Sequence, residues 1–161
     1  RQKAEYINIV TQKELEISKK MIEIMLQAPG VGLAANQIGI LKNIVTVNLR
    51  TENDKSDKIY ALFNPKIISY SKEKILMEEG CLSLPKQFAE IERPNSITIE
   101  YTNEKNEIIK EKKNGFEARI LQHEIDHLSG KLFVDYLSSL KRNILIKKVK
   151  KLQNLKKKNE R

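Results

Sequence analysis

The stretch Gln122-His123-Glu124-Ile125-Asp126-His127-Leu128-Ser129-Gly130 holds the only two histidines of the chain, spaced four apart. On an α-helix, side chains at i and i+4 share a face, with Cβ atoms about 5–6 Å apart. Two imidazoles so placed can close on one metal ion. Glu124 follows His123 directly and sets a carboxylate beside the pair. This is the H-E-x-x-H arrangement of metal-dependent hydrolysis. The competing reading is a helix that carries two histidines by chance, so the rest of the chain has to supply a third ligand.

Two completions common in zinc proteases fail here. One needs a third histidine after the pattern H-x-x-G-x-x. Gly130 is in place, but the last position is Phe133. The other needs a glutamate some twenty residues or more downstream, and beyond Asp135 the only carboxylate side chain is Glu160. Upstream stands the only thiol, Cys81, directly after Gly80. Two histidines and one cysteine with an open fourth position make a catalytic metal site, not a closed structural one. Cys81 also reads as a small buried hydrophobe.

Around these residues the chain alternates strand and helix signals. Thr11-Gln12-Lys13-Glu14 is a capping box that opens a helix, and Pro29-Gly30 follows its end. Residues 44–49 read as a strand, and Thr51 to Lys58 as a polar exposed loop. Ile59 to Phe63 and Ile67 to Tyr70 read as two short strands split by Asn64-Pro65, and Lys74 to Met77 as another. Ile97 to Thr102 and Glu107 to Glu111 read as a hairpin. Strands in the middle and helices at the ends predict an α+β fold: small mixed or antiparallel sheets around a central helix carrying H-E-x-x-H, plus a C-terminal helix over about 138–157. One domain over 1–161 fits the length.

Three motifs then carry a resemblance. Gly30-Val31-Gly32-Leu33-Ala34-Ala35-Asn36-Gln37, Glu79-Gly80-Cys81-Leu82-Ser83 and Gln122-His123-Glu124-Ile125-Asp126-His127-Leu128 resemble, in order and spacing, the three motifs of the peptide deformylases. The resemblance implies removal of the N-formyl group from nascent peptides that begin with formylmethionine. It implies one divalent metal on Cys81, His123 and His127, with Fe²⁺ as the native ion and Zn²⁺, Ni²⁺ or Co²⁺ as replacements. Glu124 is then the general base, and the Gln37 side chain and Leu82 N–H hold the oxyanion. Val31, Gly32, Gly80 and Glu79 fall along the peptide-docking stretches. The family positions of the methionine pocket walls are Val31, Met77, Phe116, Ile120 and the His123 ring, though Met77 and Ile120 read equally well as core. Glu79 and Arg93 are expected to pair and brace the Cys81 loop. The resemblance departs at Asn36, where proline or threonine is more usual. It departs also at the front, where a further strand and a P-D-x-x-L-R-type segment are expected before Arg1.

The net charge of +9 belongs to one segment. Residues 137–161 hold ten Lys and Arg against one acidic side chain, Glu160, so the remaining residues balance to zero. Any attraction to nucleic acid therefore lies in the tail. The resemblance implies that such a basic C-terminal helix docks on the ribosome near the exit tunnel. A plain RNA-binding module is the rival class, but residues 1–136 show no basic stripe beside aromatics. Specific DNA binding and membrane insertion are not expected: no apolar run approaches the ~20 residues of a span. Formylated initiation places such an enzyme in the bacterial cytoplasm or in an organelle, and the single cysteine suits a reducing compartment.

Overall fold

Strand β2 (Ile44–Asn48) explains the architecture, because it is buried on both faces. Ile44 packs in one apolar cluster, and Val45 and Val47 in another. The computed structural model describes residues 2–54 and 58–160. Of the expected polar loop, residues 55–57 lie outside the described residues, while Thr51 and Asp54 bridge each other. The chain forms two compact units, Arg1–Ile75 with Arg93–Lys131, and Leu76–Glu92 with Leu132–Arg161.

The first unit is built on a five-stranded antiparallel sheet. It comprises β1 (Gly32–Ala34), β2, β3 (Ile59–Tyr70), β6 (Ser96–Thr102) and β7 (Ile108–Asn114), in that order. Side chains alternate between faces along a strand. Leu33, Ile44 and Phe63 therefore meet Met21 and Met25 of α1 (Gln12–Gln27). Ala34, Val45, Val47, Leu62, Ile97 and Ile99 meet Ala118, Ile120, Leu121 and Leu128 of α2 (Gly115–Leu128). Each such aliphatic side chain contributes about 1.5–3 kcal/mol when buried. A one-residue slip of β2 would exchange the two sets, so the register is fixed by packing.

The capping box is formed. Glu14 Oε2 accepts from Thr11 N–H at 2.8 Å, and the Thr11 hydroxyl donates to the same oxygen. Lys42 Nζ donates to Glu14 Oε1 at 2.6 Å. That ammonium group, followed by the Thr11 bonds, pulls the Glu14 carboxyl down from 4.5 to about 2.

The two strands expected on either side of Asn64-Pro65 are one strand, β3, with a register shift between Phe63 and Lys66. Asn64 takes φ 50°, and its amide exchanges two 2.8 Å hydrogen bonds with the backbone of Ile7. A locally strained bulge is thus stabilised from 57 residues away.

The second unit holds most of a two-stranded sheet, β4 (Lys74–Cys81) and β5 (Leu84–Pro94), and α3 (Ser139–Asn159). Leu84, Ile91, Phe133, Val134 and Val149 form its buried core, with Cys81, Leu137 and Leu145 packed against it. Strand β5 is weakly marked in the sequence, since exposed polar residues fill much of it. Ser138 caps α3, accepting from Lys141 N–H. Of the apolar residues at helical spacing in its first half, Leu145 and Val149 pack, while Leu140 and Ile144 are exposed.

Candidate metal and acid–base site

Helix α2 presents His123 and His127 to one another in the first unit. Their Nε2 atoms are 3.1 Å apart and both residues are buried. Two ligands at about 2.0–2.1 Å from one ion in a tetrahedral array lie ~3.3 Å apart, so the pair fits a single metal. Burial, then the charges of His123 and Arg93, push the His127 imidazole from 6.5 down to about 3. His127 is therefore neutral near pH 7 and can offer a lone pair to a metal.

Glu124 is buried on the same helix. Gly32 of β1 lies over it: a Cβ on Gly32 would fall 2.7 Å from Glu124 Oε1 and 2.9 Å from Ile120 Cγ2. Glycine is expected at 32 to let a docking backbone approach. The structure gives a further reason, since the missing side chain leaves room for the carboxylate. Ile120 itself belongs to the core beneath the sheet.

After β1 the chain turns through a 3-10 segment, Ala35–Ile38. Gln37 Oε1 accepts from Ala34 N–H at 2.9 Å. Only the oxygen can match an N–H, so this bond fixes which end of the amide is which and turns the donor end, Nε2, away from that backbone.

Other side chains anchor α2. Arg119 Nη2 donates to Ile75 O at 2.6 Å, and Gln122 Nε2 donates to Pro94 O at 2.9 Å. Arg93 pairs with Asp126 at 2.8 Å. The chain leaves the first unit at Ile75 and returns at Arg93. Both of those points are thus tied to the helix that bears the histidines. The Arg93–Asp126 bond is one that the sequence did not point to. At the front of α2, Glu117 accepts from Tyr60 at 2.7 Å and pairs with Lys113 at 2.9 Å. Burial, then Glu117, pushes the Tyr60 hydroxyl far above its usual range.

Val31 is exposed, and its carbonyl accepts from Asn48 N–H at 2.8 Å. Phe116 is exposed at the start of α2. In the second unit, Cys81 ends β4 and Leu82 is exposed in the link to β5. Met77 is half-buried and Glu79 buried. Gly80 has no room for a side chain, because a Cβ would meet the Phe88 ring at 2.5 Å.

A buried, facing histidine pair with a carboxylate on the same helix is the arrangement of a metal-dependent hydrolase. The polypeptide deformylase family matches residues 1–143. A peptide deformylase of Rickettsia prowazekii is 42% identical over 158 residues, covering 96% of this chain and 90% of the relative. One from Pelagibacter ubique is 42% identical over 156 residues, covering 96% and 89%. The crystal structure of peptide deformylase from Ehrlichia chaffeensis superposes with a TM-score of 0.87 at 39% identity, covering 96% of this chain and 90% of that one. The chain belongs to the polypeptide deformylase family, amide hydrolases that remove the N-formyl group from nascent peptides. Among the described residues, no helix is long and apolar enough to cross a membrane.

Proposed function

We propose that Cys81, His123 and His127 hold one divalent ion, Fe²⁺ in the native protein, and that Glu124 is the general base of deformylation. The observation that carries this reading is the facing pair of buried imidazole nitrogens, 3.1 Å apart, with Glu124 on the same helix. Cys81 is the only thiol of the chain, and these three are the candidate metal-holding group among the described residues. The donor set suits Fe²⁺ or Zn²⁺. When bound, the ion supplies Lewis acidity, making water acidic and polarising the formyl oxygen.

Glu124 takes a proton from the attacking water and delivers it to the leaving amine. As the formyl carbon becomes tetrahedral, its oxygen gains negative charge. Gln37, whose oxygen is held by Ala34, turns its Nε2 donor to that oxygen, and the Leu82 N–H supplies a second donor. The peptide docks along the open side of β1, through Gly32 and the Val31 side chain, and along Glu79 and Gly80, while Val31, Met77, Phe116 and Ile120 surround the methionine. The basic face of α3 docks on ribosomal RNA near the exit tunnel. The enzyme works in a bacterial cytoplasm.

Metal analysis of Cys81→Ala tests the ligand set. Loss of the ion to a mild chelator, with helix content retained, is expected. Full, tight occupancy in that variant contradicts the assignment.

A further inference from the structure

We infer that Asn36 is a positioning residue that ties the turn bearing Gln37 to the end of the helix bearing His127. This rests on the oxyanion role proposed for Gln37. The Asn36 amide nitrogen donates to two carbonyls, that of Gln2 at 2.8 Å and that of His127. Both of its N–H groups are thereby used. Its Oδ1 is buried with no hydrogen-bond partner among the described residues. A flipped amide would set that oxygen against two carbonyl oxygens, so the orientation seen is the only one the surroundings allow.

The consequence is mechanical. Asn36 lies next to Gln37 in a single short 3-10 segment. Gln37 is held on one side by Ala34 of β1, while its neighbour is held on the other side by α2. The two bonds share one turn and fix the oxyanion donor relative to the histidine-bearing helix. Hydrophobic packing reaches the turn through Ala35, which is buried, and Ile38, which is partly buried; the Asn36 bond adds a directional tie to α2. Displacements well under an ångström weaken a preorganised donor in the transition state more than in the ground state. Loss of the Asn36 bonds should therefore lower kcat and leave KM for a formyl-Met peptide nearly unchanged.

The test is a double-mutant cycle on the metal-loaded enzyme, with metal content and melting temperature recorded for every protein. Asn36→Ala is expected to lower kcat roughly 3–10-fold, the scale of one neutral hydrogen bond. In a Gln37→Ala background the same substitution is expected to change kcat less than twofold, because the group it positions is gone. Asn36→Asp, of nearly equal size, turns the donor into an acceptor facing two carbonyls, and should match or exceed the loss in Asn36→Ala. Asn36→Ser keeps one short donor and serves if Asn36→Ala does not fold; it should fall between wild type and Asn36→Asp. The side-chain amide resonance of Gln37 should move in every Asn36 variant. An equal loss with and without Gln37 overturns the inference, as does an unchanged kcat in the Asn36 variants. An unchanged kcat in Gln37→Ala alone contradicts the oxyanion role itself and removes the basis of this inference with it.

Discussion

Glu124 fills the space that a side chain on Gly32 would need: a Cβ there would sit 2.7 Å from Glu124 Oε1 and 2.8 Å from its Cγ. Real Cβ atoms do not tolerate such contacts, and Gly32 sits in a strand paired with Val47, where alanine is otherwise acceptable. Gly32→Ala must therefore move the carboxylate or the strand. A misplacement near 1 Å can cost about 10²-fold in rate. We expect kcat to fall by roughly that factor while metal content stays near one ion per chain. Unchanged turnover in Gly32→Ala would show that the carboxylate position does not matter.

Glu124 itself is assigned to proton transfer and not to coordination. Glu124→Ala should keep its metal and lose roughly 10²–10⁴-fold in turnover. Loss of the ion from that variant, measured by elemental analysis, would make Glu124 a ligand and the proposed acid–base role wrong.

The Lys42–Glu14 pair predicts a pH-dependent stability unconnected with catalysis. The Glu14 carboxyl titrates near 2 in the folded protein, below its ordinary 4.5. Its contribution is therefore present above about pH 4.5 and is lost as the pH falls toward 2. Lys42→Met should lower the melting temperature by roughly 2–4 °C at pH 7. Its deficit should shrink as the pH falls through that window. A deficit that grows on acidification would reverse the sign argued here.

The last turns of α3 are exposed, and residues 150, 151 and 156–158 are lysines. Removing Asn154 to Arg161 should leave hydrolysis of a short formyl-Met peptide intact. Ribosome co-sedimentation should weaken, most clearly at low salt, because lysine–phosphate contacts release counterions. Equal co-sedimentation of the truncated and full-length proteins would reduce the tail to a solvated helix.

Elements marked by local chemistry were legible in the sequence. The Thr11–Glu14 box, the β6–β7 hairpin and the histidine spacing each act within a few residues. What escaped depends on distant partners. Asn64-Pro65 looks like a break until the Ile7 backbone pairs with Asn64. Strand β5 is mostly polar along its exposed side, and Phe88 fills the space that Gly80 leaves open. Leu137, Leu140, Ile144, Leu145 and Val149 recur at helical spacing, which reads as one packing stripe, yet Leu140 and Ile144 are exposed while Leu137, Leu145 and Val149 pack in the second core. At the site, the motifs pointed to Gln37 and Glu124. The Ala34 N–H that holds Gln37 and the bare Gly32 that leaves room for Glu124 depend on how the sheet is folded against α2.

We propose that this chain hydrolyses the formyl amide at a peptide N-terminus with Glu124 as base. The most direct measurement follows formate and free amine released from a formyl-Met tripeptide by the Fe²⁺-loaded protein under anaerobic conditions, beside the Glu124→Ala protein at equal metal content. Formate and a new N-terminal amine should appear in equal amounts, with internal peptide bonds intact and a rate at least about 10²-fold slower in the variant. Cleavage of an internal bond without formate, or equal rates in the two proteins, would contradict the proposal.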